Sequence, residues 1–192
     1  MTTPLQILDI RPVAADLWND LEALFGPCGA YGGCWCMWWR VKSSEFDRNG
    51  NKGNKAAMQG IVSQGEVPGL LGYLDGKPVG WLSLGPREVF GRLSRSPLFK
   101  PIDGEAVWSL VCFFIHREYR NAGVATQLLA GACDYAKTQG ARILEAYPVD
   151  TGGLTKAQAS LFTGTAALFK KAGFKKAARR KATRPIFRKR LV

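Results

Sequence analysis

The chain has 192 residues, 46% of them hydrophobic, with six Trp, ten Phe and five Tyr, which supplies the apolar bulk of one packed domain and excludes a disordered segment. No repeat with a period of roughly 20–50 residues recurs, and no apolar run reaches the length of a membrane span. The formal charge is +12, and all of the excess falls in 151–192, which holds 12 of the 27 basic residues and none of the 15 acidic ones. Such a basic stretch suits phosphates, whether of nucleic acid, an anionic surface or a phosphorylated cofactor, or else is a solvated face.

In chain order, Leu5–Pro12 alternates enough for a first strand. Val13–Phe25 carries Leu17, Trp18, Leu21, Leu24 and Phe25 on one helical face and stops at Gly26-Pro27. Residues 28–53 read as an irregular insertion, with Cys28–Arg40 rich in Gly, Cys and Trp and Ser43–Lys55 a polar, mobile loop. Asn54–Gln64 reads as a second helix. Leu70–Leu74 and Val79–Leu84 flank Asp75-Gly76, a strong hairpin cue. Gly85–Gly104 reads as a loop. Ala106–Ile115 is an almost unbroken apolar run, hence a central strand buried on both faces. Gly123–Gln139 is amphipathic and ends at Gly140. Arg142–Val149 reads as a strand, Gln158–Lys171 as a helix before Gly173, and Phe174–Arg180 and Pro185–Leu191 as two closing strands. This order gives an α/β or α+β domain around one mixed sheet.

The five cysteines, Cys28, Cys34, Cys36, Cys112 and Cys133, are odd in number, which favours free thiols over a disulfide framework. Cys34 and Cys36 lack the ligand spacing of a zinc site, and the one histidine, His116, is far off in sequence, so no metal is expected. Met1–Ile10 shows no basic region followed by an apolar stretch, and a cytoplasmic location is expected.

The junction after the central strand carries the chemistry. Arg120-Asn121-Ala122-Gly123-Val124-Ala125-Thr126 opens a helix with small residues and no acid. The first amides of a helix lack intrahelical partners and sit at the positive end of its dipole. Bare amides beside an arginine fork suit a pyrophosphate. Neither a P-loop nor a dinucleotide-binding glycine fingerprint is present.

The segment Arg120–Ala125, R-x-x-G-x-A after an apolar strand, resembles the acyl-CoA signature of the GNAT superfamily of N-acetyltransferases. The hairpin around Asp75-Gly76 and the Gly173-Phe174 ending of the late helix agree with it. The resemblance implies one N-acetyltransferase-like domain over 1–192: a mixed, mostly antiparallel sheet splayed between its two central strands and flanked by helices. Residues 167–192 would form a basic helix end and the closing strands. It also implies that acetyl-CoA is the acyl donor and a small-molecule or peptide amine the acceptor. Pantetheine would bond to backbone near Phe113, Phe114 and Ile115, and the pyrophosphate to Arg120 and the amides of Asn121, Ala122, Gly123, Val124, Ala125 and Thr126. A backbone N–H near Phe113 or Phe114 would hold the developing oxyanion.

The chain departs from the family where many members carry a glutamate on the central strand and a tyrosine before Gly-Phe: it has Ser109 and Phe169. Glu105 or Glu145, acting directly or through water, is then the candidate base and Tyr147 the candidate acid, the alternative being that they satisfy strand ends. Position and aromatic density make Trp35, Trp38 and Trp39 candidates for the acceptor wall, against a reading as core. The expected reaction is direct amine attack in a ternary complex. A CoA-binding sensor is the alternative, or a nucleic-acid-binding module, against which the absence of a recognition motif weighs. No membrane partner is expected. Dimerisation is common in such folds, and a homodimer is left open.

Overall fold

A computed structural model describes residues 7–152 and 161–191. Seven strands form one sheet: β1 (Asp9–Pro12), β2 (Gly69–Leu74), β3 (Lys77–Pro86), β4 (Trp108–Ile115), β5 (Ile143–Ala146), β6 (Lys175–Lys181) and β7 (Arg184–Arg190). Their order across the sheet is β1-β2-β3-β4-β5-β7-β6. Every neighbouring pair is antiparallel except β4 and β5, which run parallel.

The helices α1 (Trp18–Phe25), α2 (Ser43–Ser63), α3 (Gly91–Arg95), α4 (Val124–Thr138) and α5 (Ala166–Lys171) cover the sheet. One buried cluster joins Leu21, Leu24 and Phe25 of α1 and Met58 and Val62 of α2 to Leu71, Trp81 and Val111 of the strands. A second joins Leu128, Leu129, Ala132 and Ala136 of α4 and Phe169 of α5 to Leu70, Leu82, Leu110 and Phe113. Adjacent residues such as Leu70 and Leu71, or Trp81 and Leu82, fall in opposite clusters, as the two-residue period of a strand requires. The apolar run of β4 thus reports burial on both faces. Helix α4 lies so close to β3 that a Cβ at Gly80 would come within 2.8 Å of Val124 Cγ1.

The hairpin turn at Asp75 and Gly76 forms as expected, both residues having positive φ (48° and 74°). Three expectations need correction. The polar stretch 43–55 is not a loop but the first half of α2, which breaks at Gly50 (φ 54°, ψ −159°) and continues to Ser63. Its asparagines hold it in place: Trp35 Nε1 donates to Asn51 Oδ1 (2.6 Å), Asn51 Nδ2 to the Pro27 carbonyl (2.8 Å) and Asn54 Nδ2 to the Gly33 carbonyl (3.0 Å). These long-range bonds outweigh a weak local helix propensity. The loop 85–104 contains α3 and short 3-10 turns at Arg87–Val89 and Pro97–Phe99. The strand expected over Arg142–Val149 ends at Ala146, and Val149 makes an isolated bridge to Thr165. The start of the expected last helix, 158–160, and positions 5 and 6 of the expected first strand lie outside the described residues; Thr165 caps α5 by accepting from the Leu168 amide at 3.2 Å.

Five of the seven residues of β6 are basic, and they lie on an edge strand. Part of the C-terminal charge is nonetheless used internally. Arg180 donates to the carbonyls of Leu98, Lys100 and Pro101, Arg179 pairs with Asp150, and Arg188 pairs with Asp103 and Glu145.

Candidate active site

The site begins where β4 and β5 part. Their parallel pairing covers Trp108–Leu144, Ser109–Glu145 and Leu110–Ala146, and then stops. At the same level the register of β4 against β3 slips: Ser83 faces Cys112 and Leu84 faces Leu110, leaving Val111 unmatched. This is a β-bulge. Val111 and Cys112 accordingly fall in the same cluster, whereas Leu110 and Phe113 fall in the other. The pairing of the two central strands therefore ends at this level, as expected, and the bulge beside it lies in the β3–β4 register rather than between β4 and β5.

Beyond the fork, the Phe113 amide points away from β3, and it donates to the Phe162 carbonyl at 2.6 Å. The segment that carries Phe162 returns to the β5 side, where the Val149 amide donates to the Gly164 carbonyl (2.9 Å). By strand alternation Ile115 shares the orientation of Phe113, whereas Phe114, opposite Trp81, turns its amide toward β3. Of the two amides expected to meet a carbonyl in the gap, Phe113 is the one that faces it, and that of Phe114 does not.

The loop after β4 leads into α4. A 3-10 turn spans Arg117–Tyr119, and Arg120 Nε donates to the Ile115 carbonyl at 3.2 Å, which ties the exposed guanidinium to the end of β4. Asn121 (φ 63°) and Gly123 (φ 79°) are left-handed, a conformation that turns successive N–H groups toward a common concavity. Among the described residues no acceptor is bonded by the amides of Asn121, Ala122, Gly123, Val124 and Ala125. The Thr126 amide, expected to be bare, instead donates to the Gly123 carbonyl at 3.0 Å and closes the first turn.

The proposed acid and base residues occupy a different setting. Glu145 and Tyr147 have no exposed surface. Glu145 Oε1 accepts from Arg87 Nη1 (2.8 Å) and from Tyr147 Oη (2.6 Å), and its Oε2 accepts from Arg188 Nε (2.7 Å). Tyr147 Oη also lies 2.6 Å from Arg87 Nη1 and 2.9 Å from Ser109 Oγ. Arg188 Nη1 reaches outward to Asp103 Oδ2 at 2.7 Å, and Arg87 Nη2 donates to the Phe99 carbonyl. Burial first, and then the Glu145 charge, hold the Tyr147 phenol well above its ordinary range. A general base must reach the proton it takes. Glu145 has both oxygens engaged and no open surface, an arrangement that favours the alternative of a buried structural network over direct proton transfer by Glu145 or Tyr147. Glu105 is exposed on the loop before β4, its amide donating to Asp103 Oδ1 (3.1 Å), at the end of the strand away from the gap. That position does not favour it as base either.

The three tryptophans separate. Trp35 is core: its ring packs against Trp18 and Phe25, 2% exposed, with its N–H on Asn51. This packing favours the core reading over a place in the acceptor wall. Trp38 is half-buried, with the Arg92 guanidinium 3.5 Å from its ring centroid and Phe46 at its edge. Trp39 lies nearest the fork, between Tyr147 (6.5 Å), Phe99 (5.6 Å) and Phe162 (6.2 Å). Cys36 and Cys112 pack sulfur to sulfur at 3.5 Å, with Trp81 Nε1 donating to Cys36 Sγ at 3.0 Å. All five cysteines are free, and among the described residues no cluster of His, Cys, Asp and Glu could hold a metal. No helix among the described residues is long and apolar enough to cross a membrane.

Sequence reasoning missed Arg87, Arg188 and Asp103, and the Phe162 carbonyl. Arg87 meets Glu145 across 58 positions, and no local pattern marks such a pair.

The family model for the acetyltransferase (GNAT) family matches residues 35–174, which includes β2 to β5, α4 and α5. No curated protein sequence matches. Many solved structures share the fold. One is the PaiA N-acetyltransferase of Thermoplasma acidophilum in complex with coenzyme A, with 15% identity, 95% of this chain and 98% of that one covered, and a TM-score of 0.55. Another is a GNAT-family acetyltransferase of Streptococcus pneumoniae, with 18% identity, coverage of 96% and 99%, and a TM-score of 0.55. A third is a ribosomal-protein-alanine N-acetyltransferase of Brucella melitensis, with 20% identity, coverage of 96% and 100%, and a TM-score of 0.53.

Proposed function

The chain belongs to the GNAT acetyltransferase family, and from that premise we propose that it carries an acyl group from acetyl-CoA to a primary amine by direct attack in a ternary complex. The observation that carries this reading is the fork at the Val111 bulge, with the Phe113 amide turned into it and unbonded amides at the start of α4 close behind.

In this reading the amides of Asn121–Ala125 and the Arg120 guanidinium hold the diphosphate. Helix-terminal amides and a charge-assisted fork both favour phosphate oxygens. The donor supplies an acyl group activated as a thioester. Phe113 N–H, which already bonds a carbonyl from Phe162, exchanges that partner for the thioester carbonyl and strengthens its bond as negative charge develops there. Ile115 continues the same edge of β4 toward the diphosphate. With Glu145 fully engaged, the amine loses its proton to water rather than to a side chain of this network; its nitrogen bonds the carbonyl carbon, the carbon–sulfur bond breaks, and the sulfur leaves as a thiolate that takes a proton from water. The five free thiols and a metabolite donor fit a cytoplasmic location.

The test is CoA binding by calorimetry together with acetyl-CoA consumption over a panel of amines. Arg120→Ala removes charge-assisted bonds and is expected to raise the CoA dissociation constant about 10- to 100-fold. Gly123→Asp places a carboxylate and a Cβ on a left-handed residue at the anion site and is expected to do at least as much harm. Parental CoA affinity in both variants overturns the site.

A further inference from the structure

We propose that Arg184 is a positioning residue for the reaction: through Thr163 it holds residues 162–164 as a strap across the gap between β4 and β5, where the seated strap and a bound acyl donor exclude one another. The proposal rests on the acetyltransferase reading and adds a control on donor entry to it.

The strap is bonded to both lips of the fork. On one side the Phe113 amide donates to the Phe162 carbonyl (2.6 Å). On the other, the Val149 amide donates to the Gly164 carbonyl (2.9 Å), the Ala166 amide donates back to the Val149 carbonyl (2.9 Å), and Val149 bridges Thr165 in parallel. Between the lips the chain turns tightly: the Gly164 amide donates to the Leu161 carbonyl (2.8 Å), with Gly164 at φ 78°. The strap touches both layers as it crosses. The Phe162 ring packs with Trp39 in the α1 cluster, whereas a Cβ at Gly164 would come within 2.8 Å of the Phe169 ring and 3.3 Å of the Phe113 ring, both in the α4 cluster.

Its middle residue is latched. Thr163 is 1% exposed, and its Oγ1 accepts from Arg184 Nη1 at 3.1 Å. Arg184 opens β7, and the carbonyl before it, of Thr183, accepts from the Asp150 amide (3.0 Å). The β6–β7 turn thus grips the strap and the β5 lip together. A buried hydroxyl needs a partner, and a guanidinium is a strong one.

The exclusion follows from the Phe113 amide. It has one hydrogen, and the Phe162 carbonyl takes it. An extended ligand that pairs with β4 beyond the fork needs the same hydrogen and the same space. Seated strap and bound donor are then two states of one gap, and the apparent donor affinity is scaled by the fraction of molecules whose strap is released. A ligand held only at the α4 amides is indifferent to the strap.

The test compares two ligands by calorimetry on the full chain: CoA, and adenosine 3′,5′-bisphosphate, which has phosphates but no pantetheine. Thr163→Val keeps the shape and removes the acceptor; Arg184→Ala removes the donor; Arg184→Lys keeps one. The first two are expected to tighten CoA about three- to tenfold, the worth of one hydrogen bond, with the bisphosphate unchanged and Arg184→Lys falling back toward the parent. Gly164→Ala, whose Cβ collides with two rings, unseats the strap without touching the latch and is expected to act alike. Hydrogen exchange needs no variant: CoA should speed exchange in residues 161–165 of the parent while the stretch around Phe113 stays protected. CoA affinity that is unchanged or weaker in Thr163→Val, Arg184→Ala and Gly164→Ala overturns the proposal, as does a gain shared by the bisphosphate or a strap that CoA protects from exchange. A parent that neither binds CoA nor consumes acetyl-CoA with any amine instead sinks the acetyltransferase reading itself.

Discussion

Replacing Glu145 by Gln separates a catalytic carboxylate from a structural one. The side chain is fully buried between Arg87 (8% exposed) and Arg188 (15% exposed). Gln keeps the shape, but its amide nitrogen must then face a guanidinium, donor against donor, and one buried positive charge loses its counter-charge. Breaking a buried pair by removing one partner costs about 3–5 kcal/mol, because the remaining charge has been taken out of water and gets nothing back. For a chain of this size, about 2–4 °C per kcal/mol makes that a fall of roughly 6–20 °C in Tm. Urea unfolding followed by circular dichroism should show the midpoint drop, while kcat measured well below the new Tm stays within about threefold of the parent. A Glu145→Gln enzyme with the parental midpoint and a kcat reduced a hundredfold or more would refute this reasoning and restore Glu145 as the base.

Two further outcomes follow from the same site and its surroundings. Tyr147→Phe removes a hydroxyl that engages Ser109, Glu145 and Arg87, so it should cost about 1–3 kcal/mol in urea midpoint stability, with little change in kcat; an intact midpoint with lost turnover would make Tyr147 the acid. Burial pushes the Cys34 thiol from 9.0 up to about 12. Its contribution to stability is therefore complete below pH 9, where the folded and unfolded thiols are both protonated. It is lost as pH rises toward 12, because only the unfolded chain ionises freely, by about 1.4 kcal/mol per pH unit. Urea midpoints across pH 8–11 should fall more steeply for the parent than for Cys34→Ala, and parallel curves would show that the folded thiol ionises unhindered.

What could be read from the sequence was written in neighbouring residues. Asp75-Gly76 states its turn locally, because both residues adopt positive φ there. The run 106–115 states double-sided burial, and the small residues at 122–125 state an open helix start. The polar stretch 43–55 misleads because its helix is held by Asn51 and Asn54 reaching residues 21 to 24 positions away, which no window of local propensity contains. The tryptophans mislead for a related reason. Trp35 and Trp39 share composition and neighbourhood, yet one N–H meets Asn51 and the other meets nothing, and only the tertiary fold distinguishes them. Glu145 and Tyr147, two positions apart, do meet, although Tyr147 lies just past the end of β5; that two arginines from β7 and from the loop after β3 enclose them could not be seen.

That enclosure bears on how the gap is kept. A parallel pair of strands that stops abruptly has no backbone reason to part at one residue rather than another. Here the last paired steps are Ser109–Glu145 and Leu110–Ala146, and the first carries the network that binds Ser109, Glu145, Tyr147, Arg87 and Arg188 together. One residue further along β4, the Val111 bulge shifts the register against β3. The buried charges fix β5 to β4 up to the fork, beyond which the two strands no longer pair. The buried polar cluster thus adjoins the gap instead of lying within it, and the Phe113 amide lies on the open edge beyond, bonded to the Phe162 carbonyl.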